Sequence, residues 1–367
     1  MGRQIVMTSA RLFPFICGSS SWSGGGISNR RCRPTRHFER RYDLSSLSGR
    51  NRLLTPEVIF SNHHLLAVNK PAGWHSVPND AGVPDSSKCL LTHLRRRRLG
   101  GGSESDFLRP LHRIDQPCTG VLLLGKNRKS AQRVQTAWKK GDVKKEYLCV
   151  VEAPSIDVLR NRSLSRIDVD KLRLGKKERG SMDDTNYDID WGGDAWANRS
   201  KVYVLTGLLQ QNRRNGGRGS VLVRPLHPSK HYSSELDSKL AEGRICSLEW
   251  RHLASFPSQS SAFRPLLHLV TVRTETGARH QVRSLLSAAG ACPIAGDLRY
   301  GSDRPGLPDR SVALHARALF LPSVKLGGME FLSTDAFKAS IPIPWYNFFG
   351  LSEEEVQALE YNESLRL

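Results

Sequence analysis

Arg109-Pro-Leu-His-Arg-Ile-Asp115-Gln-Pro-Cys-Thr-Gly120-Val-Leu-Leu-Leu124 is the stretch on which the fold reading turns. Its second part, Val121–Leu124, is a short, continuous apolar run bounded by turn residues, which reads as a buried strand. Its first part reads as a loop, because Pro110, Pro117 and Gly120 interrupt regular structure. One acid, Asp115, stands there with Arg109, Arg113 and His112. Nearby cations favour the ionised carboxylate. A carboxylate on a loop held by a sheet can act as nucleophile or base. Local chemistry alone favours a turn aspartate that accepts backbone hydrogen bonds.

Working upstream, residues 57–69 (EVIFSNHHLLAVN) read as two β segments around the turn-forming Ser61 and Asn62. Lys70-Pro-Ala-Gly73 ends the second, because proline has no ladder donor and glycine permits a tight turn. Residues 76–106 are mostly Pro, Gly, Ser and charge, and the run Arg95–Arg98 reads as a solvated helix end or an RNA contact. Downstream, Ala131, Val134, Ala137 and Trp138 fall at helical spacing, with Gly141 placed to end the helix. Lys144–Val151 returns to strand character and contains Tyr147. A strand tyrosine is ordinarily a core or cross-strand residue, and between basic residues it can instead stack on a base.

From about 165 to 242 the chain is polar and uninformative, with a low-complexity patch at 210–220 (QQNRRNGGRGS). Much of it is expected to be an insertion without stable packing, because few apolar residues offset the entropy of ordering. Ile245–Leu253 and Leu266–Val272 resume the strand pattern. Val282, Leu285, Leu286 and Ala289 make an apolar helical face that Gly290 closes, and Ser352 with Glu355 forms a capping box for a last helix over 351–367. Strands with a few helices and no strict βαβ alternation predict an α+β fold with a mixed, largely antiparallel sheet flanked by helices. The segment Thr276-Gly-Ala-Arg-His-Gln-Val-Arg283 opens the helix at 282, with Arg279 and Arg283 on one face if the helix has begun by 279.

Composition narrows the partners. The 367 residues carry a net charge of +20, so a polyanion is the expected partner. Residues 1–40 hold seven Arg, no Lys, six Ser and one acid, Glu39, the composition of an organelle transit peptide. The expectation is a cleaved or disordered segment over 1–45, with mitochondrion as destination and plastid as the alternative. Without those forty residues the chain still carries +14. No apolar run reaches the roughly 18 residues of a membrane span. Seven scattered cysteines without a CxxC, no HExxH and no paired histidine spacing argue against a zinc site. Neither GxGxxG after a strand nor GxxxxGK[ST] is present, which argues against a nucleotide cofactor.

Six blocks, in this order, carry a resemblance. They are LLAVNKPAGW (65–74), HRIDQPCTGVLLLGKN (112–127), KKEYLCVV (144–151), TGARHQVR (276–283), PIAGDLRYG (293–301) and LHARALF (314–320). Together they resemble the RluA-type pseudouridine synthases, which isomerise uridine in rRNA and tRNA. The resemblance spans about 57–345, interrupted by the insertion, and makes 55–350 the catalytic domain. It implies that Asp115 is the catalytic aspartate, that Tyr147 packs on the target base, and that Arg283 pairs with the catalytic carboxylate. It implies that Arg113 fills the gap left by the flipped uridine, and it assigns Arg279, His280 and Gln281 to RNA binding. No metal and no organic cofactor are implied, and a monomer acting on RNA is expected. Two departures stand out: Ala278 occupies a position where the family usually has arginine, and Cys118-Thr119-Gly120 replaces the usual Thr-Ser-Gly. The alternative function is a non-catalytic RNA-binding factor for organelle ribosome assembly. If the catalytic reading holds, Asp115 and Arg283 lie within about 4 Å of each other, with Tyr147 beside them.

Overall fold

Successive side chains of a strand point to opposite faces, so a strand apolar at every position needs cover on both sides. The computed structural model places such strands in the interior of one sheet. It describes residues 55–78, 88–97, 99, 107–169, 201–211, 221–226, 243–256, 266–274, 276–303, 307, 309–322, 326 and 334–365. The strands in chain order are β1 (Glu57–Ser61), β2 (Leu65–Lys70), β3 (Arg109–Pro110), β4 (Thr119–Gly125), β5 (Lys144–Ala153), β6 (Leu164–Ser165), β7 (Tyr203–Gln211), β8 (Val221–Leu226), β9 (Arg244–Phe256), β10 (Leu266–Thr274), β11 (Leu314–Phe320) and β12 (Ala336–Lys338). The helices are α1 (Leu90–Arg96), α2 (Arg128–Lys139), α3 (Asp157–Arg160), α4 (Gln281–Ser284), α5 (Ile343–Phe349) and α6 (Glu353–Leu365).

All the strands join one sheet, whose main path runs β1-β2-β4-β11-β5-β10-β9-β7-β6. Among the described residues only β4 and β11 pair in parallel, so the sheet is mixed and largely antiparallel, and the fold is α+β as expected. In β2 and β4 the two faces separate cleanly. Leu66, Val68, Leu122 and Leu124 enter the larger core, while Leu65, Ala67, Val121 and Leu123 meet Val134 and Ala137 of α2. Asn127 caps α2 by accepting from the Ser130 amide at 2.8 Å, and Gly141 ends it at φ +79°. The capping box of α6 forms in both directions: the Ser352 amide donates to Glu355 (2.7 Å), and the Glu355 amide donates to Ser352 Oγ (3.1 Å). Arg95, Arg96 and Arg97 are exposed at the end of α1, in keeping with a solvated helix end.

Two expectations are corrected. The stretch 165–242 is not uniformly without packing, because it contains β7 and β8. β7 pairs with β9 from Tyr203↔Trp250 to Leu209↔Arg244 and buries Leu205, Leu208 and Leu209. Averaging over a long polar window hid this apolar segment. The rest of that expectation (170–200, 212–220 and 227–242), like the transit peptide over 1–45, lies outside the described residues.

The helix after the TGARHQVR segment also differs. It begins only at Gln281, after His280 in a left-handed conformation (φ +53°), so Arg279 lies outside it and shares no helix face with Arg283. It then widens to a π-helical turn over Leu285–Ala289, an irregularity that often marks functional sites. Gly290 does follow this turn but is right-handed (φ −83°), and the positive φ falls on Ala291. What requires glycine at 290 is space: an added Cβ would come within 2.6 Å of Leu159 and of the Leu286 carbonyl.

Candidate active site

The loop that carries Asp115 links β3 to β4, and its backbone is held from several sides. The Gly73 amide donates to the Gln116 carbonyl at 2.8 Å, and Ser76 Oγ donates to the Ile114 carbonyl at 2.8 Å. Lys70 is fully buried, and its Nζ donates to the carbonyls of Pro71 (3.0 Å), Trp74 (3.0 Å) and Gln116 (3.3 Å). Burial pulls its pKa down to about 8, partly opposed by Cys118 and Asp115, so it stays charged at neutral pH. The LLAVNKPAGW segment is therefore a brace for the Asp115 loop. His112 is a brace as well: its Nε2 accepts from the Leu123 amide at 3.0 Å, and burial, aided by Lys145, pushes its pKa down to about 3.

Asp115 itself keeps 30% of its side chain exposed, while one oxygen accepts from Arg283 Nη1 at 2.9 Å. Arg283 comes from α4, 168 residues away, and only 6% of its side chain is exposed. Its other side is occupied by Asp297, 1% exposed, whose two oxygens accept from Nε (2.7 Å) and Nη2 (2.8 Å). A guanidinium suits this arrangement, because its planar fork can bind one carboxylate in bidentate fashion and still reach a second. Burial opposes its charge, but the Asp297 hydrogen bonds and the surrounding negative groups outweigh that and hold its pKa above the usual arginine value. The result is one carboxylate, Asp297, that is enclosed and fixed, and a second, Asp115, that shares the same cation and faces outward.

His280 Nε2 lies 3.7 Å from the same Asp115 oxygen that Arg283 holds. Tyr147 stands on β5 opposite Val272, half-buried against the core. It is close enough for burial and then the Asp115 charge to raise its phenol pKa, so it is neutral at physiological pH. Arg113 is exposed two residues before Asp115, and Arg279 is exposed ahead of α4.

Gln281, expected among the RNA-binding residues, turns into its own loop. It is buried, its Oε1 accepts from Thr276 Oγ1 (2.9 Å) and the Ala278 amide (3.1 Å), and its Nε2 donates to the Ser247 carbonyl (3.0 Å). Its amide thus holds the TGARHQVR loop in shape. His280 likewise turns inward to Asp115 and Tyr300. Asp297 and Tyr300 were missed as site residues, although both lie in the PIAGDLRYG block. An acid after a glycine carries no local signal of the cation it will meet.

Residues 64–288 match the family model described as RNA pseudouridylate synthase. The chain is 22% identical over 276 residues to "Ribosomal large subunit pseudouridine synthase C" of Rickettsia prowazekii (strain Madrid E), covering 75% of this chain and 66% of that protein. It is 24% identical over 204 residues to "Dual-specificity RNA pseudouridine synthase RluA" of Haemophilus ducreyi, covering 52% of this chain and 82% of that one. The chain thus spans just under two thirds of the first relative's length. The solved structure titled "Human RNA Pseudouridylate Synthase Domain Containing 4" superposes with a TM-score of 0.47 at 18% identity, over 81% of this chain and 94% of that chain. The family match takes in more than half of the residues, including both Asp115 and Arg283, and on that ground the chain belongs to the RNA pseudouridylate synthases.

Proposed function

We propose that this protein converts specific uridines of rRNA or tRNA to pseudouridine, with Asp115 as the group that attacks. The observation that carries the reading is the Asp115–Arg283 pair, because it sets a partly exposed carboxylate 2.9 Å from a buried cation. A pair of this kind suits a reaction whose nucleophile must remain charged once a substrate has displaced water, when an unpaired charge is costly. Uracil C5 is out of reach inside a helix, so the nucleotide must be extruded at a cost of roughly a few kcal/mol. The exposed Arg113, two residues from the carboxylate, is placed to enter the vacated space. Tyr147, neutral and half-buried, offers a ring for the extruded base. Asp115 then bonds to the base or the sugar, or removes a sugar proton to give a glycal. The N1–C1′ bond breaks, the base turns, C5 bonds to C1′ as Asp115 is released, and the C5 proton is lost while N1 gains one, without net redox change.

The Arg- and Ser-rich first forty residues support an organellar, mitochondrial destination, with organelle rRNA or tRNA as the substrate. Site-resolved pseudouridine mapping of organelle RNA, with the wild type and with Asp115→Ala, tests both activity and target. The expected outcome is loss of pseudouridine at discrete positions while RNA binding persists. Unchanged modification at every position would overturn the catalytic reading and leave a non-catalytic RNA-binding factor.

A further inference from the structure

A strand of the 165–242 stretch reaches the catalytic cluster through a chain of hydrogen bonds. The Val221 amide, at the start of β8, donates to the Tyr300 hydroxyl at 3.0 Å. The same hydroxyl lies 2.7 Å from His280 Nδ1. An amide can only donate, so one lone pair of the phenol oxygen is occupied. Among the described residues the phenol hydrogen finds no acceptor other than His280 Nδ1. With the phenol hydrogen directed to Nδ1, a neutral ring carries its own hydrogen on Nε2, the atom 3.7 Å from Asp115.

From this geometry we propose that His280 is a positioning residue for Asp115, held by Val221 and Tyr300 as the neutral Nε2–H tautomer so that it presents a donor, and no charge, to the carboxylate. The proposal rests on the catalytic reading above and adds to it how a second partner of Asp115 is oriented and which segment orients it. Three further observations agree. His280 keeps 8% of its side chain exposed, too little for water to take over the role of its partners. It holds a positive φ of 53° without being glycine, a conformation that costs energy and persists where surrounding contacts fix it. The charged groups around the ring are Asp115, Arg283, Arg279 and Arg299. Burial first, and then the three guanidiniums against the opposing pull of Asp115, push its pKa down to about 4.

The function of a neutral donor follows from electrostatics. A charged imidazolium beside Arg283 would add a second cation and weaken the carboxylate as a nucleophile. A neutral N–H fixes the direction of the carboxylate at a smaller cost in reactivity. At 3.7 Å the contact is beyond a hydrogen bond, so it closes only when Asp115 or the ring moves slightly, as apo catalytic contacts often do.

The test is the tautomer itself, read in the full-length protein labelled with 15N-histidine. Long-range 1H–15N correlations at pH 7 report which ring nitrogen carries hydrogen, and the signal missing from His280→Gln identifies the residue. The expected result is the Nε2–H tautomer in the wild type, and a mixed or Nδ1–H tautomer in Tyr300→Phe. In single-turnover assays Tyr300→Phe should form pseudouridine about tenfold more slowly at unchanged RNA affinity. His280→Gln, whose side-chain amide can still donate, should retain more activity than His280→Ala. An Nδ1–H ring or an imidazolium in the wild type at pH 7, or an unchanged tautomer in Tyr300→Phe, would overturn the proposal. Because the spectrum requires no turnover, it stands apart from the Asp115→Ala experiment: the activity reading can fail while the tautomer result holds, and the reverse.

Discussion

Asp297 shows how much of the site depends on a side chain enclosed behind it. Both of its oxygens are spent on Arg283 and almost none of it is exposed. Asp297→Ala leaves a buried guanidinium with only half of its partners, and breaking such a pair typically costs about 3–5 kcal/mol. Urea unfolding should show that loss in the midpoint, and activity should fall with it because Arg283 is then free to turn. Arg283→Lys keeps the charge but loses the fork, so it should fold and yet hold Asp115 poorly. At this scale the sequence was partly legible. Asp115 and Arg283 stand in segments whose residue types and order carry the family resemblance. The inward turn of Gln281 and His280 was hidden, because a polar side chain reads the same in sequence whether it bonds to its own loop or to a ligand. Asp297 and Tyr300 were hidden for the opposite reason: each acquires its role only from a partner distant in the chain.

At the level of elements, β4 and β11 approach each other at a single glycine. Gly120 has φ +114°, and a Cβ there would stand 2.2 Å from the Ala316 carbonyl oxygen. Gly120→Ala must therefore separate the two strands or fail to fold. A thermal melt should show a lowered midpoint or no cooperative transition, and a wild-type melt would contradict the packing described. The C-terminal elements are tied to this seam. Arg317 of β11 is buried, and its Nη1 donates to the Ala339 carbonyl (2.7 Å) and to Glu353 (3.0 Å), which also accepts from the Ile341 amide (2.7 Å). Strands apolar at every position, and helices with clear caps, were legible because each announces itself within a few residues. β7 and β8 were not, because they lie within a long polar window and β7 owes its place to pairing with β9. The late start of α4 was not legible either, since the left-handed turn at His280 is set by its bonds to distant residues.

Over the whole molecule, enclosed neutral histidines, His315 buried and His112 half-buried, set the response to acid. His112 and His315 both have an ordinary value of 6.5, lowered chiefly by burial, to about 3 for His112 and about 4 for His315. Between those values and 6.5 the unfolded chain binds protons that the folded chain refuses, so stability rises with pH across this window. Thermal midpoints should fall steadily from about pH 6.5 towards pH 4, with little change from these groups above pH 7. Equal midpoints at pH 7 and pH 4.5 would contradict the neutral, hydrogen-bonded state of these rings.

The parallel seam also has a consequence for how the protein is made. β11 lies between β4 and β5, yet it is translated some 160 residues after β5. Until it arrives, the nascent chain presents two unsatisfied edges at what will become the middle of the sheet, a ready template for association with other chains. Biogenesis thus has a long vulnerable interval in which a holding chaperone has work to do. A product cut short before residue 314 would lack the strand that joins the two halves of its own sheet.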